Sequence, residues 1–217
     1  MKILLADEEM ELLPQKAIFW ERTKTLLLAD CHFGKVAHFR RSGIGIPTSA
    51  GHETFLILHQ LIKQKSPERI LFLGDLFHSQ YNSDFEKFSG WRKQFSDIEF
   101  TLVLGNHDIE ALSLYEQMGL RQSPNLIEGR FYFTHEPDKS QPTLFNLAGH
   151  IHPGIGLSGT ARQHVKVPCF WFGENFGVLP AFGQFTGSHP IHPTENDQVY
   201  AVAGSRIFDL KGVASFT

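Results

Sequence analysis

The hydrophobic pattern divides this chain into short apolar runs that stop abruptly at polar residues. Three runs, Thr25-Leu-Leu-Leu-Ala29, Arg69-Ile-Leu-Phe-Leu73 and Thr101-Leu-Val-Leu104, have no internal polar break, as expected of strands buried on both faces. Residues 48–65 place Phe55, Leu58 and Ile62, with Ile57 and Leu61 beside them, on one stripe at helical spacing, and Pro67 marks the end. Residues 83–95 and 109–118 predict two more helices, the second closing near Gly119. Shorter strands are expected at 2–5, 11–13 and 16–20. Strands alternating with helices predict an α/β arrangement. Beyond residue 130 the pattern changes to strands alone, at 130–134, 144–148, 165–172, 198–202 and 206–210, with Pro153-Gly154 read as a turn. No linker, repeat or low-complexity tract interrupts the chain. The expectation is one domain over residues 1–217, with a second sheet packed on the first.

Composition narrows the class. Hydrophobic residues are 41% and charged residues 20% of 217, ordinary for a globular protein with a sizeable core, and twenty Phe can fill much of it. No apolar run approaches the ~20 residues of a membrane helix, and a secretory leader needs a longer apolar segment than MKILLADEEM offers, so a cytoplasmic location is expected. Two cysteines, Cys31 and Cys169, are too few for a disulfide scaffold and are read as thiols. The net charge of -3 means that any polyanion contact must be local. Histidine is the unusual residue: there are twelve, and imidazole is the commonest metal ligand.

Position gives those histidines meaning. Asp30-Cys-His32, Gly74-Asp75, Gly105-Asn-His-Asp108, His135 and Gly149-His-Ile-His152 each come directly after a predicted strand. Loops at strand ends are where α/β sheets carry their chemistry. Taken alone, Asn106-His107-Asp108 is an ordinary polar turn. Together, two carboxylates, four imidazoles and an amide oxygen form a mixed oxygen and nitrogen set that suits Mn²⁺, Fe or Zn²⁺ better than Ca²⁺. Seven ligands exceed one tetrahedral site, so two ions are the natural count and one carboxylate must bridge. Asp75 is the candidate bridge, because Asp30 already has a near partner in His32. Two divalent ions against two carboxylates and a hydroxide leave the site cationic, which favours a phosphoryl anion.

The five blocks, in this order, resemble the calcineurin-like metallophosphoesterase superfamily, whose pattern is DxH, GD, GNH(D/E), H and GHxH. The resemblance implies a four-layer αββα sandwich of two mixed β-sheets flanked by helices. It implies two divalent metal ions, Mn²⁺ favoured over Fe or Zn²⁺. Asp30, His32 and His152 match ligands of the first ion, Asn106, His135 and His150 those of the second, and Asp75 the bridge. His107 matches the histidine that stays off the metals and assists the leaving oxygen, with Asp108 expected to hold its imidazole. The implied reaction is phosphodiester hydrolysis by in-line attack of a metal-bridging hydroxide.

Further stretches are similar to a bacterial subgroup of ligase-associated DNA-repair phosphoesterases. They are Lys35, Phe39-Arg40, Gly45-Ile-Pro47, Gly74-Asp-Leu-Phe-His-Ser79, Gly149-His-Ile-His-Pro153 and Leu179-Pro-Ala-Phe-Gly-Gln-Phe-Thr-Gly187. The subgroup implies nuclease action on DNA and a functional association with a DNA ligase and a helicase. Lys35, Arg40 and Arg41, with His38, form a basic cluster after the first ligand pair and are candidate phosphate contacts. His78 is a candidate substrate contact. Cys31 alternates with two ligands and is expected to face the core. Phe182, Phe185 and Trp171 are read as core, although an exposed aromatic there could stack a base. The alternatives are a small-nucleotide phosphodiesterase or phosphomonoesterase, and a non-catalytic protein-binding scaffold of the same fold.

Overall fold

The first half of the chain forms one seven-stranded sheet. Strands β1 (Lys2–Leu5), β2 (Glu8–Leu13), β3 (Ala17–Trp20) and β4 (Thr25–Leu28) run antiparallel in sequence order. Strands β5 (Arg69–Leu73), β6 (Glu99–Val103) and β7 (Arg121–Ser123) then join β4 in parallel. The connections carry helices α1 (Ala50–Lys65), α2 (Ser83–Arg92) and α3 (Leu112–Gln117). This computed structural model describes residues 1–36, 50–78, 83–158 and 164–211. The expected helix start near residue 48 and the candidate contacts His38, Arg40 and Arg41 lie outside the described residues.

Strand periodicity sorts the side chains of β4 to β6 onto two faces. Leu26, Leu28, Ile70, Phe72, Phe100 and Leu102 face a core built with Leu58, Leu61, Ile62, Phe85, Phe88 and Tyr115 of the helices. Leu27, Leu71, Leu73 and Val103 face the opposite way, into a second core shared with Phe131, Phe133, Leu147, Phe170 and Phe172. Both faces are apolar, which is why these strands read as unbroken runs.

The second sheet has nine strands. They are β8 (Leu126–Glu128), β9 (Phe131–Phe133), β10 (Phe145–Ala148), β11 (Pro153–Ser158), β12 (His164–Phe172), β13 (Phe176–Val178), β14 (His189–Pro190), β15 (Gln198–Ala203) and β16 (Arg206–Asp209). Their order is β14-β11-β12-β13-β10-β9-β8, with β15 on β12 and β16 on β15. Strand β10 is parallel to β9 and β13 while β11 and β12 are antiparallel, so this sheet is also mixed.

Two mixed sheets with a helical layer agree with the expected class. Among the described residues the last helical position is Gln117. The far face of the second sheet carries a small cluster including Ile155, Val167, Cys169, Ile191 and Leu210. Pro153-Gly154 is not a turn but opens β11. Proline is tolerated as a first strand residue, and Gly154 lies so close to Ser188 that a Cβ would meet its Oγ at 2.6 Å. No helix among the described residues is long and apolar enough to cross a membrane.

Because β4, β5 and β6 are parallel neighbours in close register, with Leu28 opposite Phe72 and Leu73 opposite Val103, their C-terminal ends share one edge of the sheet. Strands β9 and β10 of the second sheet end there too: Gly149 N donates to the His135 carbonyl at 2.9 Å, the His135 ring reaches the Leu73 carbonyl at 3.0 Å, and His150 N reaches Asp30 Oδ2 at 2.9 Å. All five polar blocks therefore meet at one place.

Candidate metal centre

The loops leaving β4 and β5 are stitched together by their backbones. Asp30 N donates to Gly74 O at 3.2 Å, His32 N to Asp75 O at 3.0 Å, and Phe33 N to Leu76 O at 2.9 Å. This sets Asp30, His32 and Asp75 side by side. The His150 N–H donates to Asp30 Oδ2 at 2.9 Å, which draws the last block onto the first.

Two groups of potential ligands result. In the first, Asp30, His32 and His152 each offer an atom within 4.8 Å of the others. The two Nε2 atoms of His32 and His152 face each other at 3.4 Å. Asp30 Oδ1 lies 3.3 Å from His152 Nε2 and, although fully buried, accepts no hydrogen bond among the described residues. A buried anionic oxygen without a donor is costly, and a cation between these atoms removes that cost.

The second group holds Asp75, His135 and His150, and Asn106 joins it. His135 Nδ1 lies 3.0 Å from the Leu73 carbonyl. That carbonyl can only accept, so Nδ1 carries the proton and Nε2 presents its lone pair, the usual outer-shell arrangement of a ligating histidine. Around that lone pair stand Asn106 Oδ1 at 3.0 Å, His150 Nδ1 at 3.1 Å and Asp75 Oδ1 at 3.5 Å. Acceptors converging on an acceptor again call for a cation.

Asp75 stands between the groups. Its Oδ1 faces His135, while its Oδ2 lies 3.9 Å from His32 Nε2 and 3.9 Å from His107 Nε2. Asp30, His32, Asp75 and His135 are buried, whereas Asn106, His107 and His150 reach the surface. The His107 side chain is 43% exposed, on the solvent side of the pair, and makes its own backbone bond to Asp75 Oδ1 at 3.1 Å.

The glycines of the motifs have steric reasons. A Cβ on Gly74 would run into the His135 ring, one on Gly105 into Asp75, and one on Gly149 into Asp30 Oδ2 at 2.6 Å. The backbone is strained beside them. Asp30, His32, Asp75, His150 and His152 all have positive φ, between 45° and 66°. Such conformations cost about 1–3 kcal/mol each and persist only where the surroundings over-determine them.

Asp108 corrects an expectation. Its carboxylate does not hold His107. Oδ2 accepts from Asp75 N at 2.8 Å and Gly105 N at 2.9 Å. Oδ1 accepts from Leu76 N at 3.1 Å and from the Tyr115 hydroxyl at 2.6 Å. Four donors fill this wholly buried carboxylate, which braces the turns carrying Asp75 and Asn106. Burial raises its pKa, opposed by the bonds from Tyr115 and the backbone. Burial and the Asp108 charge raise the Tyr115 phenol, so it stays a donor. Tyr115 is a site residue that the motifs do not contain. Its one sequence signal is a seven-residue spacing from Asp108, two turns along a helix.

The remaining candidates divide. Lys35 is half-buried near the first group, and its charge, after burial itself, helps push the His32 pKa down to about 2. The His78 ring lies 5.6 Å from that of His32 and 5.9 Å from that of His107, so it belongs to the cluster. Cys31 is buried in the helix-side core, and burial, then Asp30 and Asp108, raise its thiol pKa well above the ordinary value. Phe182 is core, but Phe185 is 50% exposed and Trp171 half-buried, against expectation.

Such a fold and donor set define a metal-dependent phosphoesterase. The chain belongs to the calcineurin-like phosphoesterase family, whose sequence model matches residues 23–159. It is similar in structure to nuclease MPE of Pseudomonas putida, with a TM-score of 0.83 and 29% identity over 97% of this chain and 99% of that one. A weaker likeness, with a TM-score of 0.39 and 14% identity over 88% and 95% of the two chains, is to the E. coli phosphoesterase Yfce. No curated protein matches the chain significantly in sequence.

Two measurements check this geometry. Tyr115→Phe removes a bond to a buried charge and should lower stability by ~1.5–3 kcal/mol. An unchanged urea midpoint would remove the bracing role. The second concerns pH in metal-stripped protein. Folded His32 stays neutral down to about 2, while the unfolded chain takes a proton near the ordinary 6.5. The stability tied to this group is complete above that value and is lost as pH falls below it, by up to ~1.4 kcal/mol per pH unit. Denaturation across that range should show His32→Gln with a shallower pH dependence than wild type, by about one proton.

Proposed function

We propose that this protein is a two-metal phosphodiesterase that cuts nucleic-acid strands, DNA foremost, with Mn²⁺ as its working ion and DNA repair in the cytoplasm as its setting. The observation that carries the reading is the pair of convergent acceptor groups sharing Asp75, with the exposed imidazole of His107 beside the same carboxylate. Asp30, His32 and His152 would hold one ion, and Asn106, His135 and His150 the other. When bound, the two ions supply an activated water and neutralise the phosphoryl oxygens. The chain's own residues do the rest. The Leu73 carbonyl keeps the His135 proton on Nδ1, leaving Nε2 for a ligand. Asp108 fixes the two turns relative to each other. His107, exposed and outside both groups, is placed to hand a proton to the departing oxygen.

Two features support a polymer substrate. Asn106, His107 and His150 open to solvent at the protein's surface, where a chain can lie across them. The likeness to a nuclease also covers 97% of this chain and 99% of that one. The complete donor set with His107 intact counts against a scaffold role.

A Mn²⁺-supplemented panel of bis-p-nitrophenyl phosphate, p-nitrophenyl phosphate, cyclic nucleotides and single-stranded DNA tests the reading. Hydrolysis of the diester and of DNA is expected; a preference for the monoester, or silence throughout, rejects it. His107→Ala should retain both metals by elemental analysis while turnover drops about 10²–10⁴-fold. An empty site in that variant would move His107 into the ligand set.

A further inference from the structure

The loop between β13 and β14 is tied to the metal centre by its backbone. Phe182 N donates to Ala29 O at 2.8 Å and Gly183 N to Asp30 O at 3.1 Å. Gly183 lies so close to the Cys31 carbonyl that a side chain there would collide with it. One residue on, Gln184 N reaches Thr54 Oγ1 at 3.3 Å. The next residue, Phe185, is therefore positioned by the strand end that carries Asp30. Phe185 is half exposed and held at φ +60°. A large apolar side chain in a left-handed conformation at the surface is unfavourable twice over, in backbone strain and in hydration.

Phe185 stands in a cleft of about 320 Å³ that has the metal-group residue His152 in its wall. Lys16 and Lys166 line the same cleft. Lys16 Nζ donates to Gly183 O at 3.0 Å and Lys166 Nζ to Ser188 O at 2.6 Å, so the ammonium groups bracket the loop at its two ends. Burial lowers the Lys16 pKa to about 8, which still leaves the amine protonated at neutral pH. Neither ammonium has a carboxylate at ion-pair distance among the described residues. Two cations flanking an outward-facing aromatic ring match the repeat of a nucleic-acid strand, phosphate, base, phosphate.

We propose that this cleft is a subsite for single-stranded nucleic acid next to the metal centre, in which Phe185 stacks on a base and Lys16 and Lys166 contact the adjoining phosphates. The proposal rests on the nucleic-acid reading of the active site and names how the strand is held. A duplex keeps its bases stacked on one another, so a single protruding ring favours an unpaired strand.

The test compares a short single-stranded DNA with an oligonucleotide of equal length made of abasic residues, using the metal-loaded protein. Phe185→Ala should raise KM for the base-bearing strand about 5- to 150-fold, the equivalent of ~1–3 kcal/mol per stacked base, with little change in kcat. On the abasic strand the same substitution should cost almost nothing, and Phe185→Trp should restore the KM. Lys166→Ala should weaken both strands alike and reduce the slope of log(kcat/KM) against log[salt] by ~0.7. If wild type cuts DNA but Phe185→Ala leaves KM unchanged, or is penalised equally on both strands, the subsite is wrong and the nuclease reading stands. If wild type hydrolyses bis-p-nitrophenyl phosphate but neither binds nor cuts either oligonucleotide, both fail.

Discussion

The buried carboxylate of Asp108 is the interaction on which the rest of the site depends. It joins the turn after β5 to the turn after β6 through three backbone N–H groups and is closed on its remaining side by a phenol from α3. A negative charge in that position is tolerable only with all its donors present. The backbone around Asp75 and Gly105 is thereby fixed, and with it the direction of the Asp75 carboxylate between the two ligand groups. A side chain three residues past the first glycine of its block thus sets the geometry of the whole centre without touching the imidazole next to it.

Around that brace the protein accepts local strain to bring like groups together. Of the aspartate and histidine candidate ligands, all but His135 sit at positive φ, and the glycines leave no room for a Cβ beside their neighbours' ligand atoms. Two aromatic-rich cores, one on each face of β4 to β6, supply the rigidity against which the strain is held. Their packing places five strand ends at one edge, so the chemistry is a product of parallel register rather than of proximity in sequence.

The unbroken runs in β4, β5 and β6 are legible because both faces are buried, and the ligand blocks are legible because each interrupts such a run with glycine, carboxylate or imidazole. The role of Asp108 is not, since its neighbour His107 is close in sequence while its real partners come from another turn and from Tyr115. Strands β7, β8, β13 and β14 are two or three residues long and exist by pairing with neighbours, so they carry no periodicity of their own. Pro153 and Gly154 look like a turn, and only their pairing with β12 and β14, distant in sequence, makes them a strand. Phe185 looks like core because a ring's exposure is set by the backbone conformation beneath it.

Cys31 sits between two candidate ligands, yet its side chain is buried among the helix-side residues, with a thiol that resists ionisation. The consequence is selectivity. Thiolates attract soft, tightly binding ions such as copper, and a thiolate pointing into the cluster would let them displace weaker binders. The loop after β4, left-handed at Asp30 and His32, turns the sulfur into the helix-side core and leaves oxygen and nitrogen donors facing the cluster. The same placement keeps the Cys31 thiol buried and protonated, and it is the thiolate that reacts with oxidants.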